Sequence, residues 1–240
     1  MRLLIALFLL VTPAAALAGQ RAVYLDEEGK RLTIEVTDEG NAVVRNEGKP
    51  DQYGIWRDGQ FYLVSREEGE WKVARAEDVA AALDQVLPPI FKALFGAASA
   101  KSKSSKMRIE PRGKRKVIGH EGQVYRVHGI DDSKPEEFRE VVISTEPALR
   151  PVGKAMEQFM VSTTMMMAPF LGEVAAEIAG DMRILFAYGT PIAMQDNLNL
   201  VSFEAADIPA GAVALPAKPK TVAEIVKEVK MSGTAAEEAK

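Results

Sequence analysis

Short runs in which apolar and polar side chains alternate, each ended by a turn rich in Gly, Asp or Ser, fill the chain from Arg21 to Arg75 and return from Lys116 to Thr145. This pattern leaves few options. Alternation sends every second side chain to one face, and tight turns make successive runs pair antiparallel, so a meander with a buried face is expected. Leu32, Ile34 and Val36 alternate with Thr33, Glu35 and Thr37 between the turns Glu27-Glu28-Gly29-Lys30 and Asp38-Glu39-Gly40-Asn41. Asp58-Gly59, between Tyr53–Arg57 and Phe61–Val64, is the strongest hairpin signal of the chain. With Trp71 to Arg75 the first meander reaches about six strands. The second runs from Lys116 to His128, breaks at Gly119 and Gly122, turns at Asp131-Asp132-Ser133-Lys134-Pro135 and resumes from Phe138 to Thr145.

Between and after the meanders the period lengthens. Val79, Leu83, Val86, Leu87, Ile90, Leu94 and Phe95 recur at three and four, which predicts a one-sided helix bent near Pro88-Pro89. Ala148 to about Ala179 keeps the same spacing, with Pro169 splitting it into two helices. Met182, Ile184, Phe186 and Tyr188 alternate again and are read as a strand, followed by Ile192–Gln195 and Asn199–Glu204, with Ile208-Pro209-Ala210-Gly211 closing the sheet. Thr221 and Glu224 have capping-box spacing ahead of Ile225, Val226 and Val229, and the polar stretch Ser232 to Lys240 is expected to be disordered. The expected fold is α+β, a single strongly curved antiparallel sheet of about ten or more strands, an open half-barrel wrapped around a few helices.

The first residues predict export. Arg2, the apolar run Leu3 to Val11 and the small residues of Ala16-Leu17-Ala18 form a signal-peptide pattern, with cleavage expected before Gly19. Residues 1–18 are then a leader, 19–215 one curved-sheet domain with a flexible basic loop at 96–116, and 216–240 an amphipathic helix with a disordered tail. The chain contains no cysteine, which rules out disulfides, thiolate nucleophiles and acylation of an N-terminal Cys. A periplasmic protein is expected, with secretion as the alternative. The formal net charge of −4 carries no signature of a nucleic-acid binder.

Groups that converge on chemistry are scarce. His120 and His128 are the only histidines and lie outside any metal-ligand motif, and neither a Gly-x-Ser-x-Gly elbow nor a phosphate-cradling Gly-rich loop occurs. The expectation is no enzyme, no cofactor and no metal. Two surfaces remain. Lys101, Lys103, Lys106, Arg108, Arg112, Lys114, Arg115 and Lys116 surround the single acid Glu110, and read either as a patch for anionic lipid headgroups or an acidic partner, or as a solvated loop. Six of the ten methionines fall between Met156 and Met182, a composition suited to apolar guests of variable shape and also to ordinary core. With the aromatic residues of the first meander they define a candidate apolar cavity lined by Trp56, Tyr62, Met160, Met166, Phe170 and Phe186, whose guest would be a lipid or other hydrophobic ligand.

Val117-Ile118-Gly119, then Val124-Tyr125-Arg126-Val127, then Glu140-Val141-Val142-Ile143-Ser144-Thr145-Glu146-Pro147 resemble an exported bacterial family of unknown function that is distantly similar to lipoprotein carriers of the Lol type. Gly119, Tyr125 and Val127 fit its strand-pair pattern, Val142 stands where Trp is common, and Asp207-Ile208-Pro209-Ala210-Gly211 is similar to its closing Pro-x-Gly segment. The resemblance spans about residues 21 to 215. It implies a half-barrel carrier of lipid or acyl chains. The other reading is an envelope interaction module that docks a protein partner through the basic loop and has no cavity.

Overall fold

The computed structural model describes residues 19–90, 107–129, 137–195 and 197–238. The first meander forms β1 (Gln20–Asp26), β2 (Arg31–Val36), β3 (Ala42–Asn46), β4 (Gln52–Arg57), β5 (Gln60–Glu67) and β6 (Glu70–Arg75). Helix α1 (Ala76–Val86) follows directly. The second meander is β7 (Arg108–Val117), β8 (His120–His128) and β9 (Phe138–Ser144). A helical stretch comes next: α2 (Arg150–Met166), α3 (Ala168–Leu171) and α4 (Glu173–Ala187). The chain re-enters the sheet as β10 (Thr190–Met194) and β11 (Leu198–Ala205) and ends in α5 (Val222–Glu238).

All eleven strands belong to one antiparallel sheet in the order β6-β5-β4-β3-β2-β1-β11-β10-β9-β8-β7. Its end strands β6 and β7 do not meet, so the sheet is an open, curved half-barrel around the helices, the α+β architecture the alternation implies. β11 closes the first meander onto the second by pairing β1 on one side and β10 on the other.

The concave face carries the largest core. Ala22, Tyr24, Ile34, Val36, Ala42, Val44, Val124, Val142, Ile192 and Leu200 from seven strands meet Leu149, Val152, Ala155, Met156 and Phe186 from the helical segment. α2 can approach this closely because residue 153 is glycine: a Cβ there would lie 2.3 Å from Thr190 Oγ1 and 3.1 Å from Thr190 Cα. Thr190 Oγ1 donates to the Leu149 carbonyl at 2.9 Å, and the Tyr24 hydroxyl donates to the Pro191 carbonyl at 3.0 Å, so polar atoms at the helix–sheet junction are paired. Burial pushes the Tyr24 phenol well above its ordinary range.

The convex face over β3 to β6 is covered by the chain after β11. Val213 joins Val43, Ile55, Val64 and Val73, with Leu215 and Ala217 packed alongside. The Lys220 amide then donates to the Val73 carbonyl at 2.8 Å and α5 folds onto α1. Edge strand β6 is thereby partly paired, a usual protection against intermolecular pairing. The opposite edge, β7, is protected in another way: it is mostly exposed, carries Pro111, and breaks register between Pro111 and Lys114.

Four local expectations change. Met182 to Ala187 is helical, with Tyr188 capping it: Leu185 and Phe186 are buried while Arg183, Ile184, Ala187 and Tyr188 are exposed, a period of 3.6 that the every-second apolar residue imitates. Ile208 to Gly211 does not close the sheet; Ala210–Val213 is a 3-10 turn of the convex strap. Residues 108–116 of the expected flexible loop belong to β7, where pairing with β8 organises them. α5 continues to Glu238, into the stretch expected to be disordered. Helix α1 ends at Val86, ahead of Pro88. The expected leader 1–18, the end of the expected helix with Leu94 and Phe95, residues 96–106 of the expected loop, and the expected turn at 131–135 lie outside the described residues.

Candidate ligand-binding site

Helix α2 fills only the middle of the concavity. Two chambers remain between the sheet and the C-terminal half of this helix. One, of about 560 Å³, has Leu32, Val44, Gly54, Leu63 and Leu198 of the sheet opposite Phe159 and Thr163 of α2. The other, of about 440 Å³, lies between the β4–β5 hairpin and the helices, with Trp56 and Phe61 facing Ala80 of α1 and Met165 and Met166 of α2. Both fall within the usual volume of small-molecule sites.

Phe61 and Phe159 form the partition. Their rings meet edge to face with centroids 5.6 Å apart, Phe61 bordering the smaller chamber and Phe159 the larger. The Phe61 ring lies on the sheet because Gly54 has no side chain: a Cβ there would be 2.5 Å from Phe61 Cζ. Thr163 donates its hydroxyl to the Phe159 carbonyl at 2.8 Å, so it presents its methyl group without leaving an unpaired oxygen.

The mouth of the larger chamber is polar. Asp26, Asn46, Lys49, Gln52, Ser65 and Asn197 surround it. Asp26 Oδ1 accepts the amides of Glu28 at 3.0 Å and Lys30 at 2.8 Å, and Asn46 Oδ1 accepts the amide of Gly48 at 2.8 Å. These acceptors fix their own turns.

Of the six cavity residues expected from sequence, Trp56 and Met166 meet in the smaller chamber. Met160 packs against the concave core beside them, and Phe186 is buried in that core. Phe170 is half-buried on α3. Tyr62 is on the other side of the sheet, packed against the convex cluster with its hydroxyl donating to Gln60 Oε1 at 2.8 Å. Residues not foreseen are the chamber floor Leu32, Val44, Gly54, Leu63 and Leu198 and the roof Phe159 and Thr163. A signal for part of this was present: a two-residue turn at Asp58-Gly59 forces Trp56 opposite Phe61, Gly54 opposite Leu63 and Ile55 opposite Tyr62, which separates Tyr62 from Trp56 by face.

The basic patch also changes character. Lys101, Lys103 and Lys106 lie outside the described residues. On β7, Arg108 and Arg112 pair with Glu110 at 3.1 and 2.6 Å, Lys114 with Glu121 at 2.6 Å and Arg115 with Glu140 at 2.9 Å. Glu121 comes from the adjacent strand β8 and Glu140 from β9, so four of the five described cations of this segment are paired with carboxylates. The hydrogen bond and charge of Lys114, with a smaller effect of the Lys116 charge, hold the Glu121 carboxyl below the usual range.

At the end of β8, His120 Nδ1 lies 2.6 Å from Glu146 Oε2, and Glu146 Oε1 accepts the Glu121 amide at 2.9 Å. The His120 bond, then the amide, hold the Glu146 carboxyl below its ordinary value. The His120 ring also meets Phe203 edge to face at 5.3 Å. This cluster ties the segment leading into α2 to the sheet. His128 is elsewhere, beside Phe138. Among the described residues no group of three or more His, Asp or Glu side chains could hold a metal ion, and no helix is long and apolar enough to cross a membrane.

No protein-family pattern, curated protein or solved structure matches this chain.

Proposed function

We propose that the protein is an exported, periplasmic carrier that shelters the acyl chain of a lipid between its curved sheet and α2. The observation that carries this reading is the 560 Å³ chamber walled by Leu32, Val44, Leu63, Leu198 and Phe159, with polar residues of the β1–β2, β3–β4 and β10–β11 connections along one end. An apolar interior with a polar rim is suited to an amphiphile. The likeness to Lol-type carriers belongs to the same proposal and draws support from the open half-barrel shape.

Burying about ten methylenes at roughly 0.8 kcal/mol each gives about 8 kcal/mol before the cost of ordering the chain. Affinity is then expected to be no tighter than about micromolar, which fits a carrier that must release its cargo. Docking of an envelope partner through the basic strand, the other reading, draws less support because four of the β7 cations are already engaged by carboxylates of this chain.

The test is to purify the protein with its own envelope, identify bound lipid by native mass spectrometry and extraction, and repeat with Thr163→Trp. The indole would fill the larger chamber from the helix side without disturbing its floor. A one-to-one acyl ligand whose binding weakens at least about tenfold in the variant supports the proposal. Absence of any acyl ligand, or equal binding by the variant, defeats it.

A further inference from the structure

We infer that the ligand of the larger chamber is a single-chain amphiphile with an anionic head, a long-chain carboxylate, whose head is held at Lys49. This rests on the carrier reading and adds the chemical class of the ligand. The inference follows from how the polar groups at the mouth are spent. The acceptor Oδ1 of Asp26 takes two backbone amides and that of Asn46 takes one, so both are directed into their own turns. The donors are uncommitted. Among the described residues no carboxylate pairs with the Lys49 ammonium, in contrast to Lys30, Lys72 and Lys114, which all have partners. The Asn46 amide nitrogen and the side-chain amides of Gln52 and Asn197 border the same opening.

The mouth holds an unpaired cation and three side-chain amides able to donate, while the charge of Asp26 is drawn toward its own turn by two backbone amides, so a carboxylate at Lys49 is complemented better than a hydroxyl or an ammonium. Lys49 sits on the exposed turn between β3 and β4, at the opposite end of β4 from the Asp58-Gly59 turn. A chain entering beside it would run under Leu63 and Val44 toward the Phe61–Phe159 partition, so the head stays in water while the tail is covered. Lys49 would thus be a specificity-determining contact, with the apolar wall supplying most of the affinity.

The test is competition of palmitate, hexadecanol and hexadecylamine for the chain that begins at Gly19, with Lys49→Gln and Lys49→Glu as variants. Lys49 is exposed, so both variants are expected to fold, and thermal unfolding checks this. The parent is expected to favour palmitate over hexadecanol by about tenfold, a margin that narrows with added salt. Lys49→Gln should remove the margin and Lys49→Glu should shift preference to hexadecylamine. Equal binding of all three by the parent, a preference for hexadecylamine, or a palmitate preference unchanged in Lys49→Glu overturns the assignment while leaving the carrier reading intact. Failure of all three compounds to bind overturns both.

Discussion

Replacing Gly153 by alanine separates two effects that usually act together. In isolation an alanine inside α2 gains about 1 kcal/mol of helix propensity over glycine. Here the added methyl would lie 2.3 Å from Thr190 Oγ1, 3.0 Å from Thr190 Cβ and 3.1 Å from Thr190 Cα. The last two atoms are strand atoms that a rotamer change cannot remove, so α2 or β10 must shift. Overpacking of this kind costs about 1–3 kcal/mol. The Thr190 hydroxyl is also displaced from the Leu149 carbonyl, and leaving a buried pair unmade costs a further 1–3 kcal/mol or so. The net expectation is a loss of about 3 kcal/mol, or roughly 6–12 °C in Tm for a chain of this size. Gly180→Ala is the matched control: it sits inside α4 with no neighbouring atom within 4 Å of the place a Cβ would take, and it should gain up to about 1 kcal/mol. Urea and thermal unfolding followed by circular dichroism read both. If Gly153→Ala is as stable as Gly180→Ala, α2 does not press on β10 and the floor and roof of the chambers are misplaced.

Ile118, exposed at the β7–β8 turn, has φ of 44°, a left-handed conformation that costs a β-branched residue about 1–2 kcal/mol. Ile118→Asn, which suits such a turn ahead of Gly119, should raise the urea midpoint by about 1 kcal/mol equivalent; a lower midpoint would contradict the turn geometry. Glu146 has its carboxyl depressed by His120 and the Glu121 amide, so its contribution is complete above the ordinary glutamate value of about 4.3 and is lost as pH falls through the depressed folded value. The unfolding midpoints of the parent and Glu146→Gln should therefore differ modestly near neutrality and converge in acid; a constant difference down the pH series would contradict the pairing.

The meanders are legible in the sequence because hairpin turns and alternation are local. Asp58-Gly59 and Glu68-Gly69 sit at the β4–β5 and β5–β6 turns with the left-handed backbone those sequences favour. The helical return is not, because Met182, Ile184, Phe186 and Tyr188 satisfy a period of two by chance, and Gly180 reads as a breaker although it sits in open space within α4. The chambers are half legible. Trp56 and Met166 stand out for being large and apolar, whereas Leu32, Val44 and Leu198 line a space because of how α2 is seated over the sheet, which no local pattern records. The basic patch misleads for a related reason: Glu121 and Glu140, which pair with Lys114 and Arg115, follow the basic run in sequence and are brought beside it only by strand pairing.

The most direct measurement of the central claim is nuclear Overhauser contact between a bound long-chain fatty acid and the methyl groups of the protein. Methylene protons of the ligand should contact Leu32, Val44, Leu63 and Leu198, which share the chamber floor, and these contacts should fade in Thr163→Trp. Contacts confined to exposed residues such as Ile184 and Val201, or none at all at saturating ligand, would show that the space beneath the sheet does not hold an acyl chain.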